Sequence, residues 1–363
     1  MKRFPAFDPP EYVQWKADPE LVDAFEATIH QDAERESIIE GLTRADHERF
    51  YSGLVRNRLH DITLKRWVKT GVITKAWLGT GEEAVTIGSV HALEPRDVVA
   101  PMIRNAGACH EKGMPLADLF RGYLATEDSP TRGRDLHVGD LRHGIITPIS
   151  HVAAVVPVTV GAALGFKLRH EARVAMTWVG DGSTKVGDFH EGANMAAVMK
   201  VPVVLVIQNN GVALGTRLEQ NHAGRFELYA PMYGMAGGTF DGNHILDAYA
   251  ASLLAVRRAR EGRGPSLLVA ETFRMGGHAT HDEREARETF PAHLFAYWGK
   301  RDPIGLYEAW LIRRGIYSAD ELADLEARVQ AEIDAAEADA LKSRHTHPAD
   351  PERVAEGVYA EAG

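Results

Sequence analysis

RVAMTWVGDGSTKVGDFHEGANMAAVMKVPVVLVIQNNG, residues 173–211, decides the fold. Residues 174–179 and 203–207 are short apolar runs with β-branched members, the pattern of strands buried on both faces. Residues 187–200 between them suit a crossover helix. A βαβ unit of this kind sends the C-terminal ends of both strands to one edge of a parallel sheet, where open α/β sheets bind ligands. Asp181 and Asn210 stand at those two ends and are expected to converge. A carboxylate and an amide oxygen are hard donors suited to Mg²⁺ or Ca²⁺, and magnesium commonly completes its shell with water and phosphate oxygens. Gly180 and Gly182 flank the acid and let the backbone approach a ligand. Peptide N–H groups at the helix start that follows can face an anion.

Two familiar phosphate motifs fail here. A dinucleotide fingerprint counted from Gly180 needs a glycine where Lys185 stands, and a P-loop needs Lys-Ser/Thr where Asp188 and Phe189 follow Gly187. Either Gly-Asp-Gly or Asn-Asn alone reads equally well as an ordinary turn.

Together and in order they are far more specific. GDG, the 26 residues 183–208, and then NN resemble the thiamine diphosphate motif. The flanking sequence is similar to the α subunits of the thiamine diphosphate-dependent 2-oxo acid dehydrogenases, the pyruvate and branched-chain family. The resemblance spans residues 42–345. It implies an α/β fold with a mostly parallel sheet flanked by helices, preceded by an N-terminal arm (1–41) and followed by a tail (346–363). In such a subunit Asp181, Asn210 and the backbone carbonyl of Val212 would hold Mg²⁺, and Gly182 and Ser183 would join them against the cofactor. The family usually has tyrosine at the positions of Ile103 and Val212, so two phenol contacts are replaced by apolar side chains.

Composition agrees with an ordinary globular chain. Its 363 residues, 45% hydrophobic and 25% charged, can bury a large core. The net charge of −10 argues against non-specific nucleic-acid binding. No apolar stretch reaches membrane-spanning length, and MKRFPAFDPPEYVQ lacks the apolar segment of a secretory signal, so a cytoplasmic location is expected. Cys109 is the only cysteine, which excludes an internal disulfide and a cysteine zinc cluster.

Along the chain, the prolines of residues 1–20 predict an extended arm, either mobile or lying over a partner. Thr43 and Asp46 mark a helix start, with an apolar pattern through about Lys69. A second helix is expected over 82–93 and a strand over 97–102. Arg104 follows that strand, either as a surface residue or as a phosphate clamp at the same sheet edge as Asp181. Residues 127–148 are irregular and rich in Gly, Arg and His. His137 and His143 there are either surface groups or, by the resemblance, neighbours of the active site in a segment ordered by cofactor.

Residues 150–168 read as a helix with Gly161 and Gly165 on one face, either tightly packed inside or at a subunit contact. By the resemblance Ser150 and Val152 line the thiamine pocket. A helix ending at Gly262 and a strand over 266–273 lead to a loop bearing His278 and His281. Zinc there lacks further ligands, leaving a structural or a catalytic histidine; the resemblance points to His278 as the catalytic one. Ala279 stands where some relatives have a regulatory serine. Ser318 and Glu321 form a capping box before an apolar helical stripe, and the last dozen residues read as frayed.

The resemblance implies oxidative decarboxylation of a 2-oxo acid with acyl transfer to a lipoyl-bearing acyltransferase. It also implies a β subunit supplying the activating glutamate, as an α2β2 heterotetramer. The GEEA and GDFHEGAN segments look more like branched-chain and bacterial pyruvate types than the mitochondrial pyruvate type, and acetoin dehydrogenases share these motifs. Two other readings stay open: a catalytically silent subunit of the same fold, and an unrelated Mg²⁺-dependent nucleotide enzyme.

Overall fold

The crossover is present in the computed structural model, which describes residues 1–353 and 356. In chain order the strands are β1 (Val98–Ala100), β2 (Ala175–Gly180), β3 (Val203–Asn209), β4 (Val212–Ala213), β5 (Thr216–Arg217), β6 (Ala236–Asp241) and β7 (Ser266–Glu271). Five of them form one sheet in the order β1-β2-β3-β7-β6, every pair parallel. β4 and β5 make a separate antiparallel hairpin beside it.

Alternation along the strands divides the core into two layers. Met176, Trp178, Val204, Val206 and Leu268 pack with the helix Ile245–Arg260, while Val179, Val203, Leu205, Ile207 and Val269 pack with the helices Val155–Leu168 and Gly187–Met199. Both faces of the central strands are therefore covered, which is why their sequences are continuously apolar. A third cluster joins the helices Arg44–Lys69, Pro303–Arg313 and Ala319–Thr346. The Thr43 and Ser318 capping boxes start the two long helices.

Three elements differ from expectation. β1 stops at Ala100 because Pro101 has no N–H for the ladder and the Met102 N–H turns to Asn105 Oδ1 at 3.2 Å. The helix expected from Ser150 begins at Val155, after a turn in which Ala153 has φ 61°. Its Gly161 and Gly165 admit no close neighbour within this chain, since a Cβ added at either meets nothing within 4 Å.

The third is the arm, which lies over its own domain. The N-terminal ammonium pairs with Glu308 and Arg3 with Asp302. Arg58, fully buried, faces Glu83, Asp302 at 3.1 Å and the arm's Asp8 at 3.8 Å. A buried guanidinium needs such carboxylates, and Asp8 supplies one. The arm is also less extended than its prolines suggest, with helices at Pro10–Val13 and Pro19–Ile29. Cys109 is a buried free thiol. Among the described residues no helix is long and apolar enough to cross a membrane. Most of the stretch expected to fray lies outside the described residues.

Candidate active site

Parallel register sets Gly180 beside Gln208, so Asp181 and Asn210 leave the sheet at the same edge. Asp181 opens a short 3₁₀ turn, Asp181–Lys185, that packs against β4. Gly182 is needed in this turn, and Gly180 before it sits close under Arg104. A Cβ on Gly182 would lie 2.5 Å from the Ala213 Cβ, and one on Gly180 would lie 3.2 Å from Arg104 Nη2.

Glu82 ties the edge together. Its Oε1 accepts from Gln208 Nε2 at 3.0 Å and Asn210 Nδ2 at 3.1 Å, and its Oε2 lies 3.0 Å from Arg104 Nε. Asn105 Nδ2 donates to Gln208 Oε1 at 2.9 Å and to Thr86 Oγ1 at 2.7 Å. Asn210 Oδ1 accepts from the Val212 N–H at 3.1 Å. Every side chain in this network is buried.

The site holds unsatisfied charge. Asp181 Oδ2 is sealed from solvent with no hydrogen-bond partner. Burial raises the Asp181 pKa and Glu82 adds to the rise, against the Gly182 N–H, Arg104 and Arg274. Arg274, buried near the start of the loop after β7, has only marginal acceptors in the carbonyls of Gly276 at 3.4 Å and Leu214 at 3.5 Å. Burial, and then Arg104, bring its pKa down to about 10. His278 falls to about 4, chiefly through burial and then through Arg274 and Arg104. An orphaned carboxylate oxygen suits a hard cation. Two buried guanidiniums that repel one another suit an oxyanion. The residues present therefore fit a metal–diphosphate pair.

Beside this edge opens a cavity of about 270 Å³. Arg104, Ser150, Val152, Ser183 and His278 are on its wall, with Ile103 among its apolar lining. Asp181, Gly182 and Asn210 are not on that wall; Asp181 and Gly182 lead into it along the chain through Ser183, and Asn210 is linked to Arg104 on it through Glu82. Val212 is turned into a different apolar cluster with Tyr12, Phe273, Met275 and Phe295. His137 is on the wall and meets Ser150 Oγ at 3.0 Å, whereas His143 bonds Asp140 instead. Among the described residues no three His, Cys, Asp or Glu side chains come together to hold a metal ion.

A family model described as "Dehydrogenase E1 component" matches residues 53–349. The chain belongs to the dehydrogenase E1 component family. As an E1 component it is 33% identical over 330 residues to the 2-oxoisovalerate dehydrogenase α subunit of Bacillus subtilis, covering 88% of this chain and 97% of that protein. It is 32% identical over 324 residues to the pyruvate dehydrogenase E1 α subunit of Acholeplasma laidlawii, covering 86% and 88%. It is 31% identical over 276 residues to the α subunit of an acetoin:2,6-dichlorophenolindophenol oxidoreductase from Cupriavidus necator, covering 75% and 82%.

Sequence reasoning on this E1 chain missed three functional candidates. Glu82 was legible only as part of a helix start, because nothing local says that its carboxylate reaches across the sheet edge to Asn210. Gln208, next to last in β3, reads as one more buried strand residue. Arg274 was visible as the charge closing an apolar strand, the same signal that singled out Arg104.

Proposed function

We propose that this chain is the α subunit of a thiamine diphosphate- and Mg²⁺-dependent 2-oxo acid dehydrogenase, with residues 42–345 as its cofactor-binding unit. The substrate is a branched-chain 2-oxo acid or pyruvate, and the acyl group passes to the lipoyl group of an acyltransferase partner. The single observation that carries the reading is the sheet-edge pairing of Asp181, with its orphaned oxygen, and the Glu82-anchored Asn210. It favours cofactor binding over a silent subunit, since these donors and Arg104 persist although Ile103 and Val212 stand in place of tyrosines.

Asp181, Asn210 Oδ1 and the Val212 carbonyl would hold the cation, and Arg104, Gly182 and Ser183 the diphosphate. Ser150 and Val152 would line the thiamine side of the cavity. When bound, thiamine diphosphate supplies the nucleophilic carbon and the electron sink that decarboxylation of a 2-oxo acid requires. The protein's part is to bind, orient and exclude water. His278, uncharged at neutral pH, can donate a hydrogen bond from its ring N–H, or accept a proton on its free ring nitrogen, at the substrate from the cavity wall.

A β subunit is expected to supply the glutamate that activates the cofactor, in an α2β2 assembly. An uncovered apolar face supports a subunit contact: Val158 and Leu168 are exposed on one helix beside Gly161 and Gly165, and Met195 and Val198 on the helix packed against it.

The test is reconstitution with the β-type partner and an artificial electron acceptor, using a panel of 2-oxo acids and acetoin. Turnover of a 2-oxo acid that requires both chains, thiamine diphosphate and Mg²⁺ is expected. Robust turnover by this chain alone, or stabilisation by ATP rather than thiamine diphosphate, contradicts the reading. Preference for acetoin moves the substrate but keeps the site.

A further inference from the structure

We propose that Glu82 is a positioning residue that couples cation binding to diphosphate binding. This rests on the cofactor reading above. Glu82 is buried at the centre of the edge network, and its two oxygens do different work. Oε1 takes the amide donors of Gln208 and Asn210, which fixes the Asn210 side chain with Nδ2 toward Glu82 and Oδ1 away from it. That presents Asn210 Oδ1 on the side of the Val212 N–H, as an oxygen donor beside the β4 turn.

Oε2 faces Arg104 Nε at 3.0 Å, yet neither atom has a hydrogen-bond partner of good geometry. The contact is Coulombic and loosely aligned, so Arg104 is neutralised without being fully engaged. Its Nη2 meanwhile lies over Gly180, 3.2 Å from where a Cβ would stand, at the mouth of the Gly-Asp-Gly turn. Asp181 and Glu82 together set two carboxylates against the two guanidiniums of Arg104 and Arg274.

An oxyanion entering without a metal meets the repulsion of both carboxylates and competes with Glu82 for Arg104. A divalent cation entering alone meets both guanidiniums. Each ligand relieves the other's cost, so the two bind together more tightly than their separate affinities imply, and the coupling is reciprocal. Glutamine at position 82 keeps the Oε1 acceptor that orients Asn210 but removes the charge. The coupling, rather than the fold, is what this change should lower.

The experiment uses the chain assembled with its β-type partner and reads binding by calorimetry. Mn²⁺ alone, inorganic pyrophosphate alone, thiamine diphosphate alone, and each anion in saturating Mn²⁺ are titrated onto wild type, Glu82→Gln and Arg104→Gln. In Glu82→Gln the factor by which Mn²⁺ tightens thiamine diphosphate falls about tenfold, with pyrophosphate binding more tightly in the absence of metal. In Arg104→Gln the affinity for Mn²⁺ alone rises by a similar factor while anion affinity falls. If Glu82→Gln does not assemble, the Arg104→Gln titration decides by itself. A coupling factor unchanged in Glu82→Gln, or Mn²⁺ affinity unchanged in Arg104→Gln, overturns the proposal and leaves the cofactor reading standing. Failure of wild type to bind thiamine diphosphate with Mn²⁺ overturns both.

Discussion

Tyr12, near the start of the chain, and Val212, next to the Asn-Asn turn, belong to one buried apolar cluster with Phe273, Met275 and Phe295. The arm therefore braces the two loops that flank the candidate cation site. Arg58 stacks on the Tyr12 ring, 4.6 Å from its centroid, and ties the arm to the helix that carries Glu83.

Replacing Tyr12 by alanine removes a fully buried ring and should cost about 3–5 kcal/mol of stability, the range for large aromatic truncations. Urea unfolding measures it. Thiamine diphosphate affinity should weaken as well, because Val212 and the loop after β7 lose their support. Tyr12→Phe should be close to neutral, since the phenol oxygen is buried without a partner.

Arg58→Ala strands Glu83 and Asp302, both fully buried, without their shared cation. Breaking a buried ion pair from one side costs roughly 3–5 kcal/mol. Limited proteolysis should then cut within the first residues of the arm, which are protected in wild type.

Histidines give the pH dependence. His278 is depressed to about 4, mainly by burial, and His47 likewise to about 4, while the unfolded chain takes up protons near 6.5. Between these values the unfolded state binds more protons than the folded state at these two groups, so their contribution lowers stability as pH drops from about 6.5 toward 4 and is constant below. His278→Asn should flatten part of that slope in urea melts at pH 4.5 and 7. Under the proposed function, His278→Ala should also lower turnover by about 10²- to 10⁴-fold, and the wild-type rate profile from pH 6 to 8 should show no titration of this group.

Cys109 has its thiol pushed up to about 12 by burial, so the nucleophilic thiolate is scarce at neutral pH. Native protein should resist a thiol-specific reagent that labels it fully in denaturant. Rapid labelling of the folded chain would contradict the packing described.

Much of this was readable from residues alone, for definite reasons. The βαβ unit announced itself because β2 and β3 are covered on both faces and need unbroken apolar runs, and the helix starts at Thr43 and Ser318 were legible because capping is local chemistry. Arg104, Ser150, Val152, Ser183 and His278 share one cavity wall, whereas Asp181 and Asn210 lie off it at the sheet edge. Glu82 and the docking of Asp8 and Tyr12 were not readable. Both depend on which distant residue a side chain meets, and a buried carboxylate at a helix start has the same local sequence as an exposed one. The fate of Val212 was hidden for the same reason: its neighbours come from the arm and from beyond β7.

The most direct test counts Mn²⁺ by electron paramagnetic resonance on the complex with its β-type partner, with and without thiamine diphosphate. Wild type should bind one ion per chain of this type, tightly only when the cofactor is present, and should broaden the cofactor's phosphorus resonances. Asp181→Ala and Asn210→Ala should abolish that ion at the same concentrations. Variants that bind Mn²⁺ and broaden the phosphorus signals as wild type does would contradict the assignment of Asp181 and Asn210 to the cation.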